Sequence, residues 1–191
     1  ISIPKLGVIN IHPSLLPKYR GATPTVWVLM NGEKETGITI HFIEDERIDS
    51  GRIVLQTKLK IESNDTDGSI RCKLAKLSEK TLRNAIHRIL SEDREIFPKQ
   101  DESEATYYPK RTLKDAEINI DGPFKDIVKK IRAMSPYPGA CLTYNGERYL
   151  ATSADLIDDK TIKRNKPDET CSIIVDSLQG KIKFQVRKES K

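Results

Sequence analysis

The run Leu6-Gly7-Val8-Ile9-Asn10-Ile11-His12 constrains the fold more than any other stretch. It is short and mostly apolar, and Pro13-Ser14-Leu15-Leu16-Pro17-Lys18-Tyr19-Arg20-Gly21 stops it at once. Such a run reads as a buried strand whose end opens into a constrained turn. In α/β folds, strand ends of this kind border the ligand crevice. Asn10 and His12 are two positions apart, so both project from one face of the strand. An amide and an imidazole beside a rigid turn suit a small acyl- or carbonyl-handling site.

The following segments extend an α/β pattern. Thr23 and Pro24 supply a hydroxyl N-cap and a proline at the first helical position, which predicts a helix to about Asn31, ended by Gly32. Thr36 to Ile43 is β-branched and apolar, a second strand. Ile53, Leu55, Thr57, Leu59 and Ile61 alternate with Val54, Gln56, Lys58 and Lys60, giving a third. Asn64-Asp65-Thr66-Asp67 caps a long helix to about Leu90, with Ile70, Leu74, Leu77, Ile86 and Ile89 as its apolar stripe. The acidic, polar stretch from Ser91 to Ala105 reads as a linker or surface loop. After Pro123, the residues Phe124, Ile127, Val128 and Ile131 make a helix face, broken by Ser135-Pro136-Tyr137-Pro138-Gly139. Short β-rich segments follow, with Asn145-Gly146 as a hairpin turn between apolar runs. The last part reads as a small β appendage of barrel type.

Three strands and one clear helix before Asp65 could not cover both faces of a parallel sheet. The expectation is therefore the later part of a longer α/β protein whose first βαβ units are absent, with the catalytic domain over residues 1–105. A linker over 106–122 and a helix-plus-β domain over 123–191 would follow. No apolar run reaches the ~18 residues of a membrane span, which argues against a membrane partner. Cys72, Cys141 and Cys171 show no metal-ligand spacing and favour a reducing, cytoplasmic setting. The net charge of +5 is compatible with an anionic substrate, with nucleic acid, or with a plain solvated surface.

Of the three histidines, His87 falls in the long helix and reads as a surface or packing residue, and His41 in the second strand as structural. His12 shares its face with Asn10 and is the candidate for chemistry. Asp49, in Arg47-Ile48-Asp49-Ser50-Gly51, reads as a turn former or as a partner for His12. If the strands run parallel, their C-terminal ends meet and bring the two loops together. A carboxylate beside an imidazole raises its pKa and organises a water, and an amide nearby can bond a developing oxyanion. The set suits attack of an amine on a carbonyl carbon, with no covalent nucleophile in evidence. There is no Gly-rich phosphate loop and no zinc signature, so no metal is expected.

Taken together, Asn10-Ile11-His12-Pro13-Ser14-Leu15-Leu16-Pro17-Lys18-Tyr19-Arg20-Gly21, Thr36-Gly37-Ile38-Thr39-Ile40-His41 and Asp49-Ser50-Gly51 resemble the formyltransferase family that uses 10-formyltetrahydrofolate. The likeness continues through Pro109-Lys110-Arg111-Thr112 and Ser135-Pro136-Tyr137-Pro138-Gly139-Ala140 and fades after about Leu150. The resemblance implies a Rossmann-like core, here its C-terminal half, with 10-formyltetrahydrofolate as the formyl-donor cosubstrate. It makes Asn10, His12 and Asp49 the catalytic trio. His12 would assist proton transfer, Asn10 would stabilise the oxyanion, and Asp49 would orient His12 and a water. Ser14, Leu15, Leu16 and Pro17 match the folate-contacting turn, and the loop holding Glu44, Asp45 and Ile48 should cradle the pterin. That loop is one residue longer than the family's usual version. For the acceptor, Tyr107-Tyr108-Pro109-Lys110-Arg111-Thr112 favours an amino-sugar nucleotide, with initiator methionyl-tRNA as the alternative. Hydrolysis to formate and a non-catalytic folate- or nucleotide-binding role are the competing readings, and a homodimer is left open.

Overall fold

A computed structural model describes residues 4–158 and 171–188, and the chain divides into two units, Ile1–Arg111 and Thr112–Lys191. The first unit contains β1 (Val8–His12), β2 (Arg20–Gly21), α1 (Pro24–Asn31), β3 (Glu35–Ile43), β4 (Ile53–Lys60), α2 (Asp67–Ser91) and β5 (Tyr107–Tyr108). Strands β1, β3 and β4 form one sheet in that order, and β2 pairs with β5 in parallel. Tyr107 and Tyr108 thus belong to the first unit. The second unit contains α3 (Phe124–Met134), β6 (Ala140–Tyr144), β7 (Glu147–Ile157), β8 (Ser172–Ser177) and β9 (Gly180–Lys188).

The site-bearing strands correct one expectation. β1 pairs with β3, and β3 with β4, in antiparallel fashion, not in parallel. A parallel return needs a crossover that runs back the length of the strand. Here α1 has eight residues and spans about 12 Å. The excursion therefore stays at the end of β1 where it began, and β3 enters from there, with Thr39 opposite His12 and His41 opposite Asn10.

Local chemistry explains most element boundaries. Thr66 caps α2 by a reciprocal pair of bonds, Ser69 N–H to Thr66 Oγ1 at 3.2 Å and Thr66 N–H to Ser69 Oγ at 3.0 Å. Ile70 and Leu74 are buried beneath it, but Thr81 and Ala85 continue the stripe while Ile86 is exposed. At 25 residues, roughly 38 Å, α2 outreaches the strands it covers. Thr23 precedes α1 as expected but adopts a left-handed backbone (φ 52°) and makes no side-chain cap. Its hydroxyl instead accepts the Arg111 N–H at 3.3 Å.

Residues 91–105 are not a free linker. Phe97 is buried against Phe42, with ring centroids 5.6 Å apart, and Pro98 O accepts the Ile53 N–H at 3.0 Å. The apolar Phe97 and the amide of Gln100 strap this segment to the sheet.

In the second unit the strands pair antiparallel in the order β6-β7-β9-β8, a curled half-barrel. Asn145 (φ 50°) and Gly146 (φ 78°) both take positive φ, as a two-residue primed turn requires. Ile173 and Val175 point inward from β8, and Ile182, Phe184 and Val186 from β9, while Ile174 and Asp176 face out. Among the described residues no helix is long and apolar enough to cross a membrane.

Candidate active site

Asn10 and His12 project from the same face of β1, and the antiparallel register sets His41 of β3 opposite Asn10. The loop after β3 then folds back over the sheet. A Cβ at Gly51 would lie 1.8 Å from Phe42 O, so only glycine lets the loop lie flat there. This brings Asp49 onto the same three side chains. Its Oδ2 is 3.5 Å from His12 Nδ1, and its Oδ1 is 3.5 Å from His41 Nε2 and 3.3 Å from Asn10 Nδ2. Gly21 N–H donates to Oδ2 at 2.9 Å. The loops meet because one strand pair places them together, not because parallel strand ends converge.

Proton positions follow from the partners. Tyr19 O, 2.8 Å from His12 Nε2, can only accept, so Nε2 carries the hydrogen and the neutral ring leaves Nδ1 as a lone pair facing Asp49. Phe42 O, 2.8 Å from His41 Nδ1, fixes the opposite tautomer there. In that neutral form Nε2 accepts from the Asn10 amide at 3.3 Å; protonated, it donates to the Asp49 carboxylate 3.5 Å away, and it is this form that lowers the Asp49 pKa. Because the Asp49 carboxylate is also an acceptor, the nitrogen of Asn10 and not its oxygen faces the cluster.

Burial is the main influence on His12 and lowers its pKa; the Asp49 carboxylate and Tyr19 carbonyl pull it up, and His41 adds to the lowering. His12 is therefore neutral at pH 7. For Asp49, partial burial opposes the charge. The His41 contact, the Gly21 N–H and the charge interactions with both histidines outweigh it and hold the carboxyl at about 2. A neutral imidazole thus faces a firmly ionised carboxylate across 3.5 Å. Any proton taken up at Nδ1 would lie between them, which is the arrangement of a proton-handling pair.

The other predicted residues divide in two. Glu44, Asp45 and Ile48 line a cavity of about 210 Å³ that also touches His41 and Asp49. Its rim is fixed by Asp45 accepting from Arg47 N at 2.9 Å and pairing with the Arg47 guanidinium at 2.8 Å, and by Glu44 pairing with Arg52 and Arg94. Ile48 is exposed at its mouth. Ser14, Leu15, Leu16 and Pro17 do not line this cavity. Ser14 is fully buried with its hydroxyl bonded to Lys18 O at 2.9 Å, and Leu16 is buried with its N–H on Thr39 Oγ1 at 3.1 Å. Leu15 packs over Gly37 and lines a separate hollow with Tyr19 and Glu33.

Sequence reasoning placed His41 in a structural role, yet it touches both Asn10 and Asp49. The signal was its register opposite Asn10. Gln100 was missed, and Arg20 was given no role beyond its place in the Asn10–Gly21 motif. Gln100 donates to the backbone carbonyls of Asp49 and Gly51 and accepts from the buried Arg20. Their separation of 80 residues leaves no local pattern to read.

Fold and site together define an α/β protein with an amide, two imidazoles and a carboxylate clustered at a strand end. Residues 1–86 match the Formyl transferase family and residues 110–190 match Formyl transferase, C-terminal domain. The chain belongs to the formyltransferase family. Among its relatives, the methionyl-tRNA formyltransferase of Kosmotoga olearia is 40% identical over 176 residues, covering 92% of this chain and 56% of that protein. That of Staphylococcus aureus is 36% identical over 174 residues, covering 91% and 54%. The chain thus spans about half the length of the curated relatives it matches. A sugar 3N-formyl transferase, crystallised with dTDP and 5-N-formyl-THF, shares the fold with a TM-score of 0.70 at 24% identity, over 96% of this chain and 66% of that one.

Proposed function

We propose that this chain carries the catalytic centre for formyl transfer from 10-formyltetrahydrofolate to a primary amine, the methionyl amine of initiator tRNA being the acceptor. The observation that carries the reaction is the clustering of Asn10, His12 and Asp49 beside the cavity of the 41–51 loop. The amine nitrogen attacks the formyl carbon, the new C–N bond forms, and the bond to the folate nitrogen breaks. One proton must leave the amine and one must reach the folate nitrogen. His12 Nδ1 holds that proton in transit, and the Asp49 carboxylate stabilises the imidazolium while it does. The Asn10 N–H groups, on long 3.3 Å contacts, turn to the tetrahedral oxyanion as its charge develops. Glu44, Asp45 and Ile48 border the pterin, and Ser14 to Pro17 shape the folate side of the turn through the backbone.

Identities of 36% and 40% to methionyl-tRNA formyltransferases favour the tRNA acceptor and a cytoplasmic setting. The second reading, an amino-sugar nucleotide, has the Tyr107–Thr112 element in its favour. In the fold Tyr108 stacks on Tyr19 and Trp27, with centroids 5.0 and 5.4 Å away, and Arg111 lies 3.8 Å from Asp67. These residues hold α1 in place, which weakens the element as a signature of the acceptor.

The test is the full-length gene product incubated with 10-formyltetrahydrofolate and either methionyl-tRNA or a panel of amino-sugar nucleotides. Formyl-methionyl-tRNA is the expected product, with binding that weakens steeply as salt rises because phosphate contacts release counterions. Formylation of a sugar amine alone would transfer the assignment to the second reading. Formate release without any amine would overturn both.

A further inference from the structure

Asp49 sits in the left-handed region (φ 52°), uncommon for a residue with a side chain, so surrounding bonds must hold it there. One anchor is the Gly21 N–H on its carboxylate. The other acts on its backbone: Gln100 Nε2 donates to Asp49 O at 2.7 Å and to Gly51 O at 2.8 Å. The Gln100 amide is itself oriented, since its Oε1 accepts from Arg20 Nε at 3.1 Å and Nη2 at 2.8 Å. That fork leaves only the nitrogen to face the loop.

The Arg20 side chain is fully buried, and its charge is met by Glu102 at 2.8 Å and the Tyr107 hydroxyl. A buried guanidinium is costly to desolvate. Its seat is explained if it serves the loop. Arg20 and Gly21 together form β2, so both anchors of Asp49 descend from one dipeptide, itself paired with Tyr107 and Tyr108.

We propose that Gln100, clamped by buried Arg20, is a positioning residue that sets Asp49 against His12 and Asn10. This rests on the role given above to Asp49. The titratable groups facing the Asp49 carboxylate are His12 from β1 and His41 from β3, while Arg20 and Glu102 lie behind Gln100. Loosening the loop weakens the Gly21 N–H and histidine contacts that keep the carboxyl ionised.

The test uses the full-length protein with Gln100→Leu and Gln100→Glu. The second variant keeps a partner for Arg20 but turns an acceptor toward two carbonyls, so it loses positioning without leaving the guanidinium alone. Expected is a fall in kcat of about 100-fold, as for a small misplacement of a reacting group. The Asp49 carboxyl, followed by 13C NMR, should titrate at a higher pH than in the parent. An unshifted Asp49 titration in both folded variants would overturn the proposal, whatever the activity. If the parent protein transfers no formyl group, the reaction assignment fails, while a raised Asp49 titration would still support Gln100 as its positioner.

Discussion

The two units bury different things. Every buried polar or charged side chain among the described residues lies before Arg111, from His12, Ser14 and Arg20 to His41, Asp67 and Gln100. The second unit buries Leu142, Ile182, Phe184, Val186 and similar apolar residues. Polar groups cost free energy to bury unless each finds a partner. The first unit meets that cost with an extended network: Thr39 bonds Ser14 and Leu16, Gln56 bonds Thr39, and Gln100 bonds Asp49. The second needs no such network, because alternation of inward and outward residues is enough to specify its sheet. The contrast separates a polar, hydrogen-bonded interior in one unit from an apolar, packed one in the other.

Substitutions should separate the two. His12→Ala in the full-length protein is expected to lower the rate of formyl transfer by on the order of 10² to 10⁴, with a small change in melting temperature. A fully active variant would remove the first unit's claim to chemistry. Phe184→Ala should cost about 3–5 kcal/mol in the stability of the second unit, read from denaturant unfolding. A cost below about 1 kcal/mol would mean that its core is not what holds that unit together. Asn10→Ala should slow transfer by about 10² to 10³, with binding of the folate donor preserved. A rise in KM with unchanged kcat would assign Asn10 to substrate binding instead.

Asp49 gives a pH signature absent from the apolar unit. Its carboxyl is held at about 2, below the usual 3.8. A depressed acid contributes stability above its unfolded pKa and loses it as pH falls toward the folded value. The contribution is about 2 kcal/mol, present above pH ~4 and lost toward pH ~2. Asp49→Asn should flatten that acid limb in the first unit; an unchanged limb would refute the carboxylate's assigned environment. The smallest effect is expected at the surface: Lys58→Ala, which breaks the exposed pair with Glu35, should change stability by ~0.2–1 kcal/mol. A larger loss would show that charge outside the network also matters to the fold.

Much of this division could be read from residue patterns. The strand ending at His12, the helix from Asp67, the Asn145-Gly146 hairpin and the β-rich end each carry a local signal of period, cap or turn. Asn10 and His12 share a strand face, which spacing alone gives. What patterns did not give was long-range. The antiparallel run of β1 and β3 depends on how far α1 carries the chain. His41 joins the cluster only through cross-strand register. Gln100 and Arg20 meet across 80 residues of sequence. Residues 91–105 read as a linker or surface loop because their composition is polar, although Phe97 fastens them to the sheet and Gln100 to the loop at Asp49 and Gly51.

The most direct measurement is the pH dependence of formyl transfer by the full-length parent and by Asp49→Asn. In the proposed reaction neutral His12 is the active form, and burial lowers its pKa from 6.5 against the upward pull of Asp49. The parent's acid limb should therefore have its midpoint below 6.5. Removing the carboxylate should move that midpoint to still lower pH and reduce the plateau rate by at least about 100-fold, the scale of lost general acid–base catalysis. An Asp49→Asn protein with the parent's plateau and the parent's midpoint would contradict the assignment of His12 and Asp49 as the proton-handling pair.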